Sequence, residues 1–375
     1  MDFTFNEEQT LIQSQVEQFI QRDYGWEQRQ SLIDSETGFN SKNWKTFADL
    51  GWLGIAFSEN SGGFGGNAID TMIIMEEFGK GLVLEPFLET VVLSGTIVDE
   101  AGTDEQKSNL LTRVIEGNLQ MALAYAEPQS RFNLANVTTE AKLSGGSFTI
   151  NGYKSVVMNG PNAEELIVAA RTSGDQFDKE GITLFVVNSD SEGLSRRDYQ
   201  TVDNRKASEI TFENVKVQEH QILGELNKGL FLLERAIERS ILAISAEAVG
   251  AMEVLYKTTV DYAKTREQFG TPIGKFQVLQ HRMVDMFMEY EQCKSLLYMA
   301  TMKHAEEASD SKKAISGLKY QVGNAAKFIG QQSVQIHGGM GVTDELNVGH
   351  YFKRLTTIGT IFGNSDFHLK QYTSL

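Results

Sequence analysis

The sequence has a single cysteine, Cys293, in 375 residues. That excludes an intramolecular disulfide framework and fits a reducing compartment. Positive charge is also scarce: 34 Lys and Arg against 50 Asp and Glu leave a formal charge of −16. No cluster of Lys and Arg offers phosphate neutralisation, so no nucleic-acid surface is expected. No apolar run approaches the roughly 18 residues that a membrane helix needs. From Met1 to Gln15 the chain carries Asp2, Glu7 and Glu8 and no basic leader, so neither a signal nor a transit peptide is expected, and a cytoplasmic location is. Histidine is sparse, and His281, His304 and His350 do not stand at metal-ligand spacings with a cysteine or carboxylate, so no metal is expected. The best Ser and Cys nucleophile candidates lack a neighbouring His.

What is present is ordinary globular composition, 41% hydrophobic and 22% charged. At about 150 residues per domain the length suggests two or three domains. The first stretch reads as helix. Thr4 and Glu7 have capping-box spacing, and Leu11, Ile12, Val16, Phe19 and Ile20 follow at helical intervals. Trp44, Phe47 and Leu50 form a short amphipathic run ending at Gly51, and the cluster Gly62 to Gly66 precedes a helix carrying Met72, Ile73, Met75 and Phe78. Leu82 to Val98 and Glu105 to Ile115 continue in the same style.

Near residue 120 the period changes. Phe148–Ile150, Leu166–Val168, Ile182–Val187 and Ile210–Phe212 are β-rich runs, punctuated by Gly145-Gly146, Asn151-Gly152, Asn159-Gly160-Pro161 and Ser173-Gly174. With no helix-length segment between them, the sheet is expected to be largely antiparallel, a barrel or sandwich. From Gly229 the helical period returns through Leu233, Ile237, Ile241, Ile244, Ala248, Ala251, Leu255 and Tyr262. A second long helix carries Val278, Met283, Met286, Phe287 and Tyr290, and a third covers about Ala314 to Gln335. Three long antiparallel helices make a bundle. The expected architecture is α+β, mainly α: a helical N-terminal domain over 1–118, a middle antiparallel, barrel-like β domain over 119–223 and a C-terminal helical bundle over 224–375.

Some segments admit both a chemical and a plain structural reading. Gln335-Ile336-His337-Gly338-Gly339-Met340-Gly341 ends a helix with three glycines in four residues. Such a loop either lets a ligand reach backbone amides or simply caps the helix. Arg266-Glu267-Gln268-Phe269-Gly270 closes the first bundle helix. There an Arg beside an aromatic pairs with a pyrophosphate, or is an exposed Arg next to a core Phe. Glu127-Pro128, at the entry to the β domain, reads equally as a turn. Met283, Met286 and Met288 read as core filler. Glu247 interrupts an apolar run, so it is either buried with a partner or marks the place where the polar face of the helix surfaces.

Taken in order, these segments resemble the acyl-CoA dehydrogenase family along the whole chain. The likeness runs through Leu50 to Gly54, Gly62 to Gly66, Met75 to Gly79, Ala126-Glu127-Pro128, Asn151 to Lys154, Arg266 to Gly270 with Phe276-Gln277, and Gln335 to Gly341. The ending Thr343 to Leu346 and Gly349 to Leu355 is similar to that of the small subunits of pimeloyl-CoA-type dehydrogenases. The resemblance implies a tetrameric assembly with a C-terminal four-helix bundle. It also implies FAD held between subunits and an acyl-CoA thioester oxidised to the α,β-enoyl form, with an electron-transfer flavoprotein as acceptor. It makes Arg266, Gln268 and Phe269 contacts to the diphosphate and adenine half of FAD, and gives Gln335, Gly338, Gly339 and Gly341 the same task from a neighbouring subunit.

The departures are concentrated in one half of the site. The family's usual base, a glutamate that takes the α proton, falls on Gly363. The alternative family location falls on Ser240, followed by Ile241 where an Arg is usual. Ala126 replaces the Thr of Thr-Glu-Pro, Arg131-Phe132-Asn133 stands where Gly-Ser-Asp is usual, and Val156 to Gly160 replaces a Trp-Ile-Thr-Asn-Gly strand end. The adenine-side elements survive, whereas the flavin-ring contacts and the base do not, leaving the catalytic residue unassigned. Three expectations follow. The first is a base-lacking subunit of a hetero-oligomer whose homologous partner, a large dehydrogenase subunit, supplies the glutamate. The second is an autonomous, homo-oligomeric flavoenzyme with its base relocated to Asp366 or Glu247. The third is a non-catalytic acyl-CoA-binding scaffold.

Overall fold

The computed structural model describes residues 4–375; Asp2, part of the reading of the first fifteen residues, lies outside the described residues. In chain order the first helices are α1 (Glu7–Asp23), α2 (Trp26–Ile33), α3 (Ser41–Asp49), α4 (Ala68–Gly81), α5 (Thr96–Ala101) and α6 (Asp104–Ile115). After the sheet come α7 (Gly229–Thr265), α8 (Gln277–Ala305), α9 (Ser311–His337), α10 (Asn347–Ile358) and α11 (Ser365–Ser374). The order is the expected one: helices, sheet, helices. The chain forms two compact units, one of residues up to Gln30 with Ala68–Val83 and Ile241–Leu375, the other of Ser31–Asn67 with Leu84–Ser240.

Within the first unit, α1 begins two residues later than its Thr4–Glu7 spacing suggested. Asn6 is the cap: its side chain accepts from Gln9 N at 2.8 Å while the Gln9 side chain accepts from Asn6 N at 3.2 Å. Both pairs have the same i, i+3 spacing, and the Asn–Gln pair satisfies the two orphan donors. α4 and α7 approach closely enough for backbone contact. A Cβ on Gly79 would lie 2.0 Å from Glu247 O, and one on Gly250 would lie 1.9 Å from Glu76 O. That crossing fixes where Glu247 sits on α7. α8, α9 and α10 then pack their apolar faces through Met286, Leu297, Leu318, Val322, Ile329, Leu355 and Ile358, all buried, and α11 buries His368.

The second unit holds the sheet. Its strands are β1 (Met121–Ala124), β2 (Glu140–Ser144), β3 (Ser147–Met158), β4 (Glu165–Arg171), β5 (Ile182–Asn188), β6 (Leu194–Gln200), β7 (Lys206–Gln218) and β8 (Ile222–Leu223). They run in the order β6-β7-β3-β2-β4-β5-β8, with β1 beside β4. Most pairings are antiparallel, as expected, but β1 runs parallel to β4 and β2 meets β4 in parallel at Glu140↔Arg171. The long connection from Ala124 to Glu165, which itself contains the β2–β3 hairpin, provides the crossover that a parallel pair needs. A second departure from the simple helical reading is Leu88–Gly95, a fully buried π-helical stretch leading into α5. A short hairpin in the first unit, β9 (Glu267–Gln268) and β10 (Thr271–Pro272), follows α7.

Candidate functional site

Arg266 follows α7, and the hairpin turns over Phe269 (φ +55°) and Gly270 (φ +76°). Two consecutive positive φ values are what a two-residue hairpin of this hand requires, and glycine meets the second at no steric cost. Phe269 meets the first under strain and is 92% exposed, its ring edge-on to Phe276 at 6.3 Å. It is not the core Phe that the plainer reading of the sequence allowed. An aromatic held strained and bare at a hairpin tip is available to a flat ligand or another chain. Arg266 and Gln268 are exposed beside it.

α9 ends in the glycine run. His337 stacks on Tyr262 of α7, centroids 4.3 Å apart and planes 25° apart, and its ring Nδ1 lies 2.8 Å from Ser333 O. Burial holds the pKa of His337 below its usual value, so the ring is neutral and Nδ1 donates. This stack ties the glycine run to the end of α7. Beyond it lies a groove of about 560 Å³, lined by Arg282, Gln331, Gln332, Gln335, Gly338 and Gly339 with the apolar Val334 and Phe352. Gly338 has φ +63°, and a Cβ built on Gly338 or Gly339 would meet no atom within 4 Å, so both face open space. Gly341 differs: it is buried, and a Cβ there would lie 2.9 Å from Val334 O, which makes it a packing position beneath the loop. Amide side chains, glycine backbone and one guanidinium suit an extended polar ligand bearing negative charge. Arg282, unremarked in the sequence, had one signal there: with Asp285 it is one of two charged residues on the otherwise uncharged run Val278–Met288.

In the second unit, the Glu127 and Lys154 side chains are essentially sealed from solvent, with Nζ 2.7 Å from Oε1. Glu127 also accepts from Thr138 N at 2.8 Å and Thr139 N at 3.0 Å. Burial alone would raise the pKa of Glu127; Lys154 and these donors overcome it and hold the carboxyl at about 2. Glu127 is therefore a fully engaged structural anion. The neighbouring Ala126, Val156 and Met158 offer a ligand neither hydroxyl nor indole. Val156 is 52% exposed at φ +50°, where the β3–β7 pairing slips.

The position at which the resemblance puts the base is closed. Gly363 has φ +116°, and a Cβ there would lie 2.5 Å from His368 Nε2 and 2.6 Å from Phe367 Cδ1. His368 is buried with Nε2 3.0 Å from Phe362 O, and desolvation pushes its pKa down to about 4. Ser240, at the alternative location, is buried with an unpartnered hydroxyl, and Ile241 is buried too. Glu247 does not surface: it is 1% exposed and holds Arg354 bidentately, Oε1 to Nε 2.7 Å and Oε2 to Nη2 2.6 Å. The alternative of a surfacing polar face is thereby overturned, because the glycine crossing with α4 presses this turn of α7 inward. Asp366 is exposed in the first turn of α11. No group of three or more potential metal ligands occurs among the described residues.

Three family models of the acyl-CoA dehydrogenases match: the N-terminal domain over 6–118, the middle domain over 122–215 and the C-terminal domain over 227–373. A curated relative, the 3-(aryl)acrylate reductase of Clostridium sporogenes, is 31% identical, with 96% of each chain covered. Among solved structures, an FAD complex of PigA superposes with a TM-score of 0.92 at 26% identity, covering 100% of this chain and 98% of that one. The Tcur3481-Tcur3483 steroid ACAD superposes at 0.88 and 26% identity, covering 98% and 97%. The groove beside Gly338 and Gly339 fits the polar, phosphate-bearing half of a flavin dinucleotide in size, charge and open backbone. When bound, the flavin of FAD supplies hydride acceptance. The chain belongs to the acyl-CoA dehydrogenase family of FAD-dependent oxidoreductases.

Proposed function

We propose that this chain is one subunit of a hetero-oligomeric acyl-CoA dehydrogenase in which a homologous partner carries the catalytic glutamate. The chain gives the assembly its adenine-side elements: Arg266, Gln268 and Phe269 on the hairpin, and Gln335, Gly338 and Gly339 in the groove, with Gly341 shaping the loop. The substrate is an acyl-CoA thioester, and the electron acceptor an electron-transfer flavoprotein. Domain limits at 118/119 and 223/224 go with this reading, as does kinship with the small subunits of pimeloyl-CoA-type enzymes.

The observation that carries the proposal is the closed position at Gly363. Its place is taken by the rings of His368 and Phe367, so no carboxylate can stand there without moving them. The relocated-base alternative has little to draw on. Glu247 is occupied by Arg354, and Asp366 is a solvated residue at a helix start. A general base is worth 10²–10⁴ in rate, roughly 3–5 kcal/mol of barrier, and the weakly acidic α carbon of a thioester gives solvent no way to substitute. The steroid relative's paired name is in keeping with a two-chain enzyme.

The test is co-expression with a neighbouring dehydrogenase gene. A complex with about one FAD per two chains, active only together, is expected. Full flavin in both chain types, or a yellow homo-oligomer bleached by acyl-CoA, would overturn the proposal. Colourless protein that binds CoA thioesters without any redox change would favour a scaffold instead.

A further inference from the structure

The groove at the end of α9 contains a cation that the family resemblance does not assign. Among the described residues that line it, Arg282 is the one charged side chain, and no carboxylate faces it. That is unusual in a chain of formal charge −16. Elsewhere in the first unit, Lys80 meets Glu77, Lys294 meets Glu76 and Arg354 meets Glu247, while Lys319 is sealed inside the helices on the Ile358 carbonyl rather than open to a groove. Arg282 meets only an amide, donating from Nη1 to Gln332 Oε1 at 3.1 Å. One donor of five is used, which orients the guanidinium and leaves the remaining N–H groups for another acceptor. Arg266 is not among the residues lining the groove.

We infer that Arg282, positioned by Gln332, is the groove's contact for the diphosphate of the flavin dinucleotide. The inference rests on the reading of the groove as the site of the cofactor's adenine–diphosphate half. A half-buried, uncompensated guanidinium costs desolvation that an incoming phosphate recovers, and its fork geometry suits two phosphate oxygens. Gly338 and Gly339 leave the backbone bare on the same groove, so the ligand can lie close to it.

The test uses the full chain in its purified oligomer, with the partner subunit where one co-purifies. Calorimetric titration with FAD, ADP and adenosine is compared for the native chain, Arg282→Gln, Arg282→Lys and Gly339→Leu. Circular dichroism and melting temperature report on folding, and Arg282→Lys retains charge where Arg282→Gln does not. Arg282→Gln is expected to weaken FAD and ADP about tenfold to a hundredfold, the worth of a charge-assisted hydrogen bond. It should also flatten the dependence of affinity on salt while leaving adenosine within about twofold; Arg282→Lys should recover part of the loss. Unchanged FAD and ADP affinity in Arg282→Gln, with binding lost in Gly339→Leu, overturns the role of Arg282 and leaves the groove as the cofactor site. Unchanged affinity in both variants, or no FAD bound by the native protein, overturns the groove reading itself.

Discussion

His368 Nε2 stands 2.5 Å from the point where a Cβ on Gly363 would lie. The two residues therefore exclude one another: with the imidazole in place, position 363 takes no side chain. Gly363→Glu should not create activity, because the new carboxylate must displace His368 and Phe367 and adopt φ +116°. Overpacking and backbone strain together suggest a loss of about 2–5 kcal/mol. Urea unfolding checks the stability, and acyl-CoA turnover of the chain alone checks the activity. Gly363→Glu with His368→Ala should recover part of the stability.

Glu247 and Arg354 are sealed together, so removing either takes a bidentate, charge-matched partner from the other inside the fold. Glu247→Ala is expected to cost about 3–5 kcal/mol, and Arg354→Ala a similar amount. The pair Glu247→Leu with Arg354→Met should cost much less than the sum of the single changes. Denaturation of the four proteins completes the cycle, and additive losses would contradict a coupled pair.

Acid stability should fall in two windows. His368 titrates near 6.5 when exposed and at about 4 in the fold because burial disfavours its charge. Below 6.5 the unfolded chain takes up a proton that the folded one resists, so stability falls as pH drops from about 6.5 to 4. Glu127 lies lower. Its folded pKa of about 2 is below its ordinary 4.5, so its contribution is complete above 4.5 and is lost as pH falls from there towards 2. Melting curves across this range should show His368→Gln flattening the upper window and Glu127→Gln the lower.

Phe269→Ala should barely affect the fold, since a 92% exposed ring contributes little packing within its own chain. Removing it also relieves a bulky residue of a left-handed backbone. The unfolding free energy should stay within about 0.5 kcal/mol. FAD retained per complex, read from the visible spectrum after gel filtration, should drop.

The architecture was legible because periodicity reports it directly. The 3.6-residue recurrence from Leu233 to Tyr262 lies within one helix, α7, and the β-rich runs at Phe148, Leu166, Ile182 and Ile210 each fall within a strand. Features that depend on distant partners were not legible. The partner of Glu247 lies 107 residues further along the chain, and nothing local distinguishes a paired buried acid from one at the edge of a face. The π-helical Leu88–Gly95 reads as ordinary helix because its apolar pattern suits either winding. The parallel placement of β1 follows from a crossover rather than from its four residues. At the candidate site, glycine spacing pointed to the end of α9. It could not separate the open Gly338 and Gly339 from the packed Gly341, nor reveal Arg282, whose place depends on how α8 lies along α9.

Cys293 is fully buried, and desolvation raises its thiol pKa far above the usual range, which leaves it inert towards alkylating reagents. A cysteine introduced as Phe269→Cys would then carry the only reactive sulfur in the chain, at a tip that already faces solvent. A fluorophore attached there would respond to the arrival of another polypeptide without cysteine removal elsewhere, so subunit exchange could be followed in real time.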